Sequence, residues 1–138
     1  MNTAFIYFLL LFSFLTNKNP QLTINIQDIE PLQGEIMIGI YNSDIGFLGE
    51  DTVVKGYSIS ADKTTKKLII KDLPTGEYAI SLYHDVNSDG VCNRNFMGIT
   101  KEPYGFSNNF KPKFSKPKFK DCKFSLDKDL EIHIKLIK

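Results

Sequence analysis

The chain has no tryptophan, only two histidines and two cysteines, and a net charge of +1 over 138 residues. So small a charge gives no global field to gather nucleic acid or acidic partners. His84 and His133 are separated by a long stretch of chain, and no Cys/His cluster of zinc-type spacing is present. No serine or cysteine sits in a nucleophile-elbow motif, and no glycine loop of the phosphate-cradling kind is present. No window keeps a helical period, and no internal repeat is visible. Nothing here assembles a catalytic constellation, so the expectation is a protein that is not an enzyme. A hydrolase of envelope polymers would need a pocket with two convergent ionisable groups.

A hydrophobic run long enough to cross a bilayer, about 20 apolar residues, is also missing. The longest run, residues 4–15 (AFIYFLLLFSFL), has one polar residue in twelve and the length of a signal-peptide core. No Lys or Arg precedes it, no small-x-small site follows it, and no cysteine near its end would take a lipid. We expect residues 1–18 to be a signal peptide or a retained membrane anchor, with the mature chain starting within 17–21. The domain would then be 21–138, secreted or held in the periplasm or cell envelope, with no membrane span in its mature form. Nucleic acid is not expected as a partner; an envelope polysaccharide or protein is the alternative. In an oxidising compartment Cys92 and Cys122 could pair or remain separate thiols.

What is present is β chemistry. Eleven Phe and six Tyr accompany nine Gly and six Pro, which suits a strand-rich domain with many turns. Apolar residues alternate at Leu22, Ile24, Ile26; at Ile36, Ile38, Ile40; at Leu68, Ile70; at Tyr78, Ile80, Leu82; at Cys122, Phe124, Leu126; and at Leu130, Ile132, Ile134, Leu136. That is the period of half-buried strands. A shorter strand over 53–59 is interrupted by Gly56, read as a bulge. About seven strands with turn signals between them predict an all-β, antiparallel β-sandwich, with a long loop after the fifth strand.

That loop opens on His84-Asp85-Val86-Asn87-Ser88-Asp89-Gly90-Val91-Cys92-Asn93. Oxygen-bearing side chains at Asp85, Asn87 and Asp89, then Gly90 in sixth place, begin a calcium-loop pattern. The Val91 carbonyl falls seventh and Asn93 ninth. The twelfth place is Phe96, where a helix–loop–helix site carries a bidentate Glu, so this is not an EF-hand. A calcium ion (Ca2+) here would be completed from elsewhere, with Glu102 the first choice. Two loop carboxylates predict weak, structural binding, on the order of 10⁻⁴–10⁻³ M. The competing reading is ordinary turn chemistry, in which the same side chains bond nearby backbone N–H groups.

The run His84-Asp85-x-Asn87-x-Asp89-Gly90, then Asn93 and Gly98-Ile99, then Lys101-Glu102-Pro103-Tyr104-Gly105-Phe106-Ser107-Asn108-Asn109 resembles the bacterial family called domain of unknown function 2141. The similarity is tightest over 78–109. It implies a secreted, prealbumin-like or immunoglobulin-like β-sandwich of unassigned function, and no activity. The family pattern often carries Asp where this chain has Asn93, and no cysteine is expected at Cys92.

Beyond the loop, Tyr104 and Phe106 flank Gly105, and Asn108 and Asn109 follow. Rings beside amides suit a carbohydrate- or protein-binding surface. The alternative is that Phe96, Tyr104, Phe106 and Phe110 form a small satellite core. Residues 110–124 carry Lys111, Lys113, Lys116, Lys118, Lys120 and Lys123 with Pro112 and Pro117. Lys and Pro of this kind blunt an exposed sheet edge; a second use is contact with anionic envelope polymers. The sequence therefore predicts a secreted binding or accessory module with a calcium-stabilised loop, or a metal-free structural or adhesion-type domain using the aromatic loop.

Overall fold

A computed structural model describes residues 18–93 and 100–138. The signal-peptide or anchor expectation, residue 18 aside, and Phe96 lie outside the described residues. Among the described residues eight strands form: β1 (Leu22–Gln27), β2 (Glu35–Tyr41), β3 (Lys55–Ser60), β4 (Lys66–Ile70), β5 (Gly76–Asp85), β6 (Tyr104–Phe106), β7 (Phe124–Leu126) and β8 (Leu130–Lys135). Short 3-10 turns cover Glu50–Thr52 and Ser107–Asn109, and one helical turn, α1, covers Phe119–Cys122.

The strands form two sheets. One has the order β4-β1-β8; the other runs β3-β2-β5-β6, with β7 also pairing β5. Most pairs are antiparallel, as expected, but β1 and β8 run parallel, from Leu22↔Leu130 to Gln27↔Lys135. Alternation of side chains is the same for either direction, so the pattern could not reveal it. The bulge at Gly56 is not formed. The β2–β3 register continues without a break from Glu35↔Ser60 to Ile40↔Lys55, with Gly39 facing Gly56. An eighth strand, β6, was not expected, and Cys122 ends α1 rather than opening a strand.

Most alternations bury what they predict, although Leu68, Phe124, Leu130 and Ile132 are only partly buried and Cys122 enters a different core from Leu126. Leu22, Ile24 and Ile26 of β1, Ile36, Ile38 and Ile40 of β2, Ile80 and Leu82 of β5 and Ile134 of β8 belong to one buried cluster contributed by both sheets. Burial of each such side chain contributes about 1.5–3 kcal/mol against its exposed state. Successive strand residues point to opposite faces, so Tyr41 and Ala79 leave this core. They enter a second one with Phe106, Phe119 and Cys122, against which Phe47, Tyr104 and Phe110 pack. The sheet that contains β5 is therefore covered on both faces.

Ser107 joins β6 to its neighbours. Its Oγ accepts the Ile80 N–H at 2.9 Å and donates to the Cys122 carbonyl at 2.5 Å, out of water. These are the partners that a buried strand backbone requires where β6 ends.

Candidate functional site

The site grows from the end of β5 against the start of β2, where Ile36 faces His84 and Glu35 faces Asp85. Gly34, at φ +75°, lies under this corner: a Cβ there would meet the Asp85 carbonyl oxygen at 2.1 Å and the Val86 Cα at 2.9 Å. His84 is fully buried. Its Nε2 lies 2.7 Å from the Gln33 carbonyl, and since a carbonyl only accepts, Nε2 carries the proton. Its backbone N–H donates to the Pro103 carbonyl at 2.7 Å. The Nδ1 atom has no hydrogen-bond partner among the described residues. His84 thus ties the loop's first residue to the chain on both sides.

Asp85 is buried and accepts two backbone hydrogens, from Asp89 to Oδ1 at 3.2 Å and from Gly90 to Oδ2 at 2.7 Å. This folds the chain back on itself, with left-handed backbone at Ser88 (φ 54°) and Gly90 (φ 76°). Asp89 Oδ1 accepts the Val91 N–H at 2.9 Å, and Oδ2 accepts from the amides of Asn87 and Asn93, each at 3.0 Å. The Val91 hydrogen bond, then the Asn93 amide, hold the Asp89 carboxyl below the usual carboxylate range. Glu102, also buried, closes the loop from outside: Oε1 accepts the Val86 N–H at 3.2 Å and Oε2 the Asn93 N–H at 3.1 Å.

One point in this network draws the oxygens together. The Asn93 Nδ2 lies 3.0 Å from Asp89 Oδ2, 3.3 Å from the Val91 carbonyl and 3.4 Å from Asn87 Oδ1. These are the third, fifth and seventh places of the loop pattern, converging on a donor. Asp85 and Glu102 stand behind them as acceptors of backbone N–H groups. Among the described residues no group of three or more His, Cys, Asp or Glu side chains is placed to hold a metal ion. A cation in this loop would therefore find one carboxylate, that of Asp89, beside amide and carbonyl oxygens, donors that hard ions such as calcium take.

The aromatic and amide set is dispersed. Phe106 is in the second core, with Tyr104 packed at its edge. Asn108 donates to the Lys123 carbonyl at 2.9 Å. Asn109 exchanges hydrogen bonds with β8, donating to the His133 carbonyl at 3.1 Å and accepting the Lys135 N–H at 2.9 Å. Both amides thus brace the backbone. Tyr104 remains on the wall of a cleft of about 500 Å³, with Tyr41, Tyr83, Gly90, Cys92 and Lys116. Tyr83 donates its hydroxyl to the Gly90 carbonyl at 3.1 Å. Burial, with Asp85 nearby, pushes that hydroxyl up to about 12.

Cys92 and Cys122 are not joined by a disulfide. Cys122 is buried in the second core, and burial raises its thiol to about 12. Pattern reading missed His84, Gly34, Tyr83 and Ser107 as parts of the site's frame. Gly34 carried a signal as a turn glycine after Pro31, and His84 and Ser107 stand in the run that resembles the family; their partners, like that of Tyr83, are distant in sequence or backbone atoms.

No curated protein and no solved structure matches the chain. A family model described as an uncharacterized protein conserved in bacteria (DUF2141) matches residues 24–133, from within β1 to within β8, with the whole 85–93 loop inside. The chain belongs to the bacterial DUF2141 family, whose function is unknown.

Proposed function

We propose that this protein is a secreted β-sandwich of prealbumin-like or immunoglobulin-like type. In this reading it serves as a binding or accessory module and holds calcium weakly in the loop of Asp85, Asn87, Asp89, Val91 and Asn93. The observation that carries the reading is the convergence of Asn87 Oδ1, Asp89 Oδ2 and the Val91 carbonyl on a single point, the Asn93 Nδ2. A cation at that point would displace the amide nitrogen, and Asn93 would turn its own oxygen toward the ion. Asp85 and Glu102 supply negative charge and hold the backbone frame. The ion's role is structural, stiffening the corner beside the tyrosine-lined cleft. Export is supported by the apolar run at 4–15 followed by a polar stretch. Among the described residues no helix is long and apolar enough to cross a membrane.

The test is a calcium titration followed by thermal melting. Calcium at about 1 mM, but not magnesium, raises the melting temperature of the wild type, and Asp89→Ala abolishes the increase. A flat titration in both proteins rejects the reading.

A second reading is favoured by one observation: each loop carboxylate already accepts a backbone N–H, so the turn is complete without an ion. The protein is then a metal-free structural or adhesion-type domain, and its carbohydrate or protein ligand lies in the cleft beside Tyr104. Glycan binding that persists in chelator and is lost in Tyr104→Ala supports it; no binding on a broad array rejects it.

A further inference from the structure

Residues 110–119 leave and rejoin the second core, with Phe110 packed against it at one end and Phe119 buried in it at the other. Pro117 is also buried, so both feet of this loop are fixed. At its middle Phe114 is fully exposed, 101% of its reference area, the most exposed large apolar side chain among the described residues. Around it stand Lys111, Lys113, Lys116 and Lys118, with no acidic residue between 110 and 119. None of these lysines forms an ion pair with a described residue. The next acid, Asp121, accepts the Lys118 backbone N–H at 2.9 Å.

The neighbouring turn adds a second apolar side chain. Ile45 is 80% exposed, and two residues on Phe47 packs edge-on against Phe119 with ring centroids 5.8 Å apart. Asp44 beside it faces the base of the loop, and Glu50 shares the wall of the tyrosine-lined cleft with Phe114 and Lys116.

We propose that residues 110–119 form a contact loop for an anionic lipid surface, with Phe114 entering the acyl boundary and the lysines resting among the headgroups. Edge protection accounts for lysine and proline but not for an uncovered phenylalanine, since a large exposed ring attracts partners rather than repelling them. A soluble polyanion would match the lysines and leave Phe114 in water. A bilayer answers both: basic side chains bind its surface charge, and the ring takes the apolar layer beneath. Because both feet are anchored, little chain entropy is lost when the loop engages. One ring and a few lysines give reversible attachment, not insertion.

The chain lacks tryptophan, so Phe114→Trp in the full chain provides a single fluorescent reporter at the apex. With phosphatidylcholine vesicles carrying roughly a third phosphatidylglycerol, its emission shifts to the blue and brominated lipid quenches it. With pure phosphatidylcholine, or in about 0.5 M salt where screening is short-ranged, both signals vanish. Lys113→Glu with Lys116→Glu on the same background weakens vesicle affinity at least roughly 20-fold. It leaves thermal melting unchanged, since these side chains form no ion pair with a described residue. Water-like emission at saturating anionic lipid overturns the proposal. So does an equal blue shift on neutral vesicles, and so does capture by dextran sulfate without quenching by brominated lipid.

Discussion

Asn93 donates its side-chain amide to Asp89 Oδ2 at 3.0 Å from the point where two further oxygens also converge. A donor at that position satisfies the converging oxygens without adding charge. Asn93→Asp replaces it with a second carboxylate facing Asp89. In chelator the variant melts below the wild type, because like charges then oppose one another. With calcium the order reverses, and the variant's calcium affinity exceeds the wild type's on the order of tenfold, since affinity follows ligand charge. Calorimetric titration and melting in parallel read both halves of the prediction.

Asp85 is the buried anchor of the same loop, with both oxygens accepting backbone hydrogens. Asp85→Ala strands the N–H groups of Asp89 and Gly90 and lowers stability by about 2–3 kcal/mol, measured by urea denaturation. Asp85→Asn keeps one acceptor and costs about half as much.

Acid acts through Asp89. Its folded-state pKa is below the ordinary value of 3.8, so its charge stabilises the fold at every pH above that value. The contribution is lost as pH falls through the depressed value, because protonation then removes the acceptor. Asp89→Asn, which turns an amide donor toward the amides of Asn87 and Asn93, is less stable than wild type at neutral pH. The gap narrows below pH 3.8. Denaturation profiles of the two proteins in chelator, subtracted at each pH, isolate this effect.

Two glycines with nearly equal φ angles predict unequal outcomes. At Gly34 an added Cβ meets the Asp85 carbonyl oxygen at 2.1 Å, whereas at Gly90 nothing lies within 4 Å. Gly90→Ala costs only the left-handed backbone penalty, about 1 kcal/mol. Gly34→Ala adds a backbone collision that moves β2 or β5, and loses at least about 3 kcal/mol. Thermal melting separates them.

Cys122 is silent in the folded state. Its thiol is raised to about 12 by burial, so at about pH 8 almost no thiolate exists to react. Iodoacetamide with peptide mapping finds Cys122 unmodified in the native protein and fully modified in denaturant. Above pH 9 the unfolded thiol ionises while the folded one does not, so this group lowers stability as pH rises toward 12.

The strands that were legible in the sequence are those whose alternation is long and strict, such as Leu22-Ile24-Ile26 and Ile36-Ile38-Ile40. Their period alone reports which face is buried. β6 escaped notice because three residues, one of them glycine, hold too little alternation to read. Cys122 kept the spacing of a strand while its backbone took a helical turn, held by the Ser107 hydroxyl from fifteen residues earlier. The 85–93 bend was legible as a cluster of oxygen side chains about Gly90. Its inner assignment was legible only in the competing turn reading, which has Asp85 bonding backbone N–H groups; that Glu102 does the same, and that Asn93 meets the oxygens with its nitrogen, was not. Amide orientation is set by neighbours in space, and residue spacing carries no trace of it.

β1 lies at the centre of its sheet, between β4 and the parallel β8. The first of the described strands is thus flanked on one side by the last of them. Until the ribosome has passed Lys135, Leu22 and its neighbours in β1 have an open edge and no lasting ladder there. Long-range pairing of this kind is slow to close. That edge of β1 therefore stays unzipped until β8 has been made, and a stop placed before Leu130 deprives the sheet of its parallel pair.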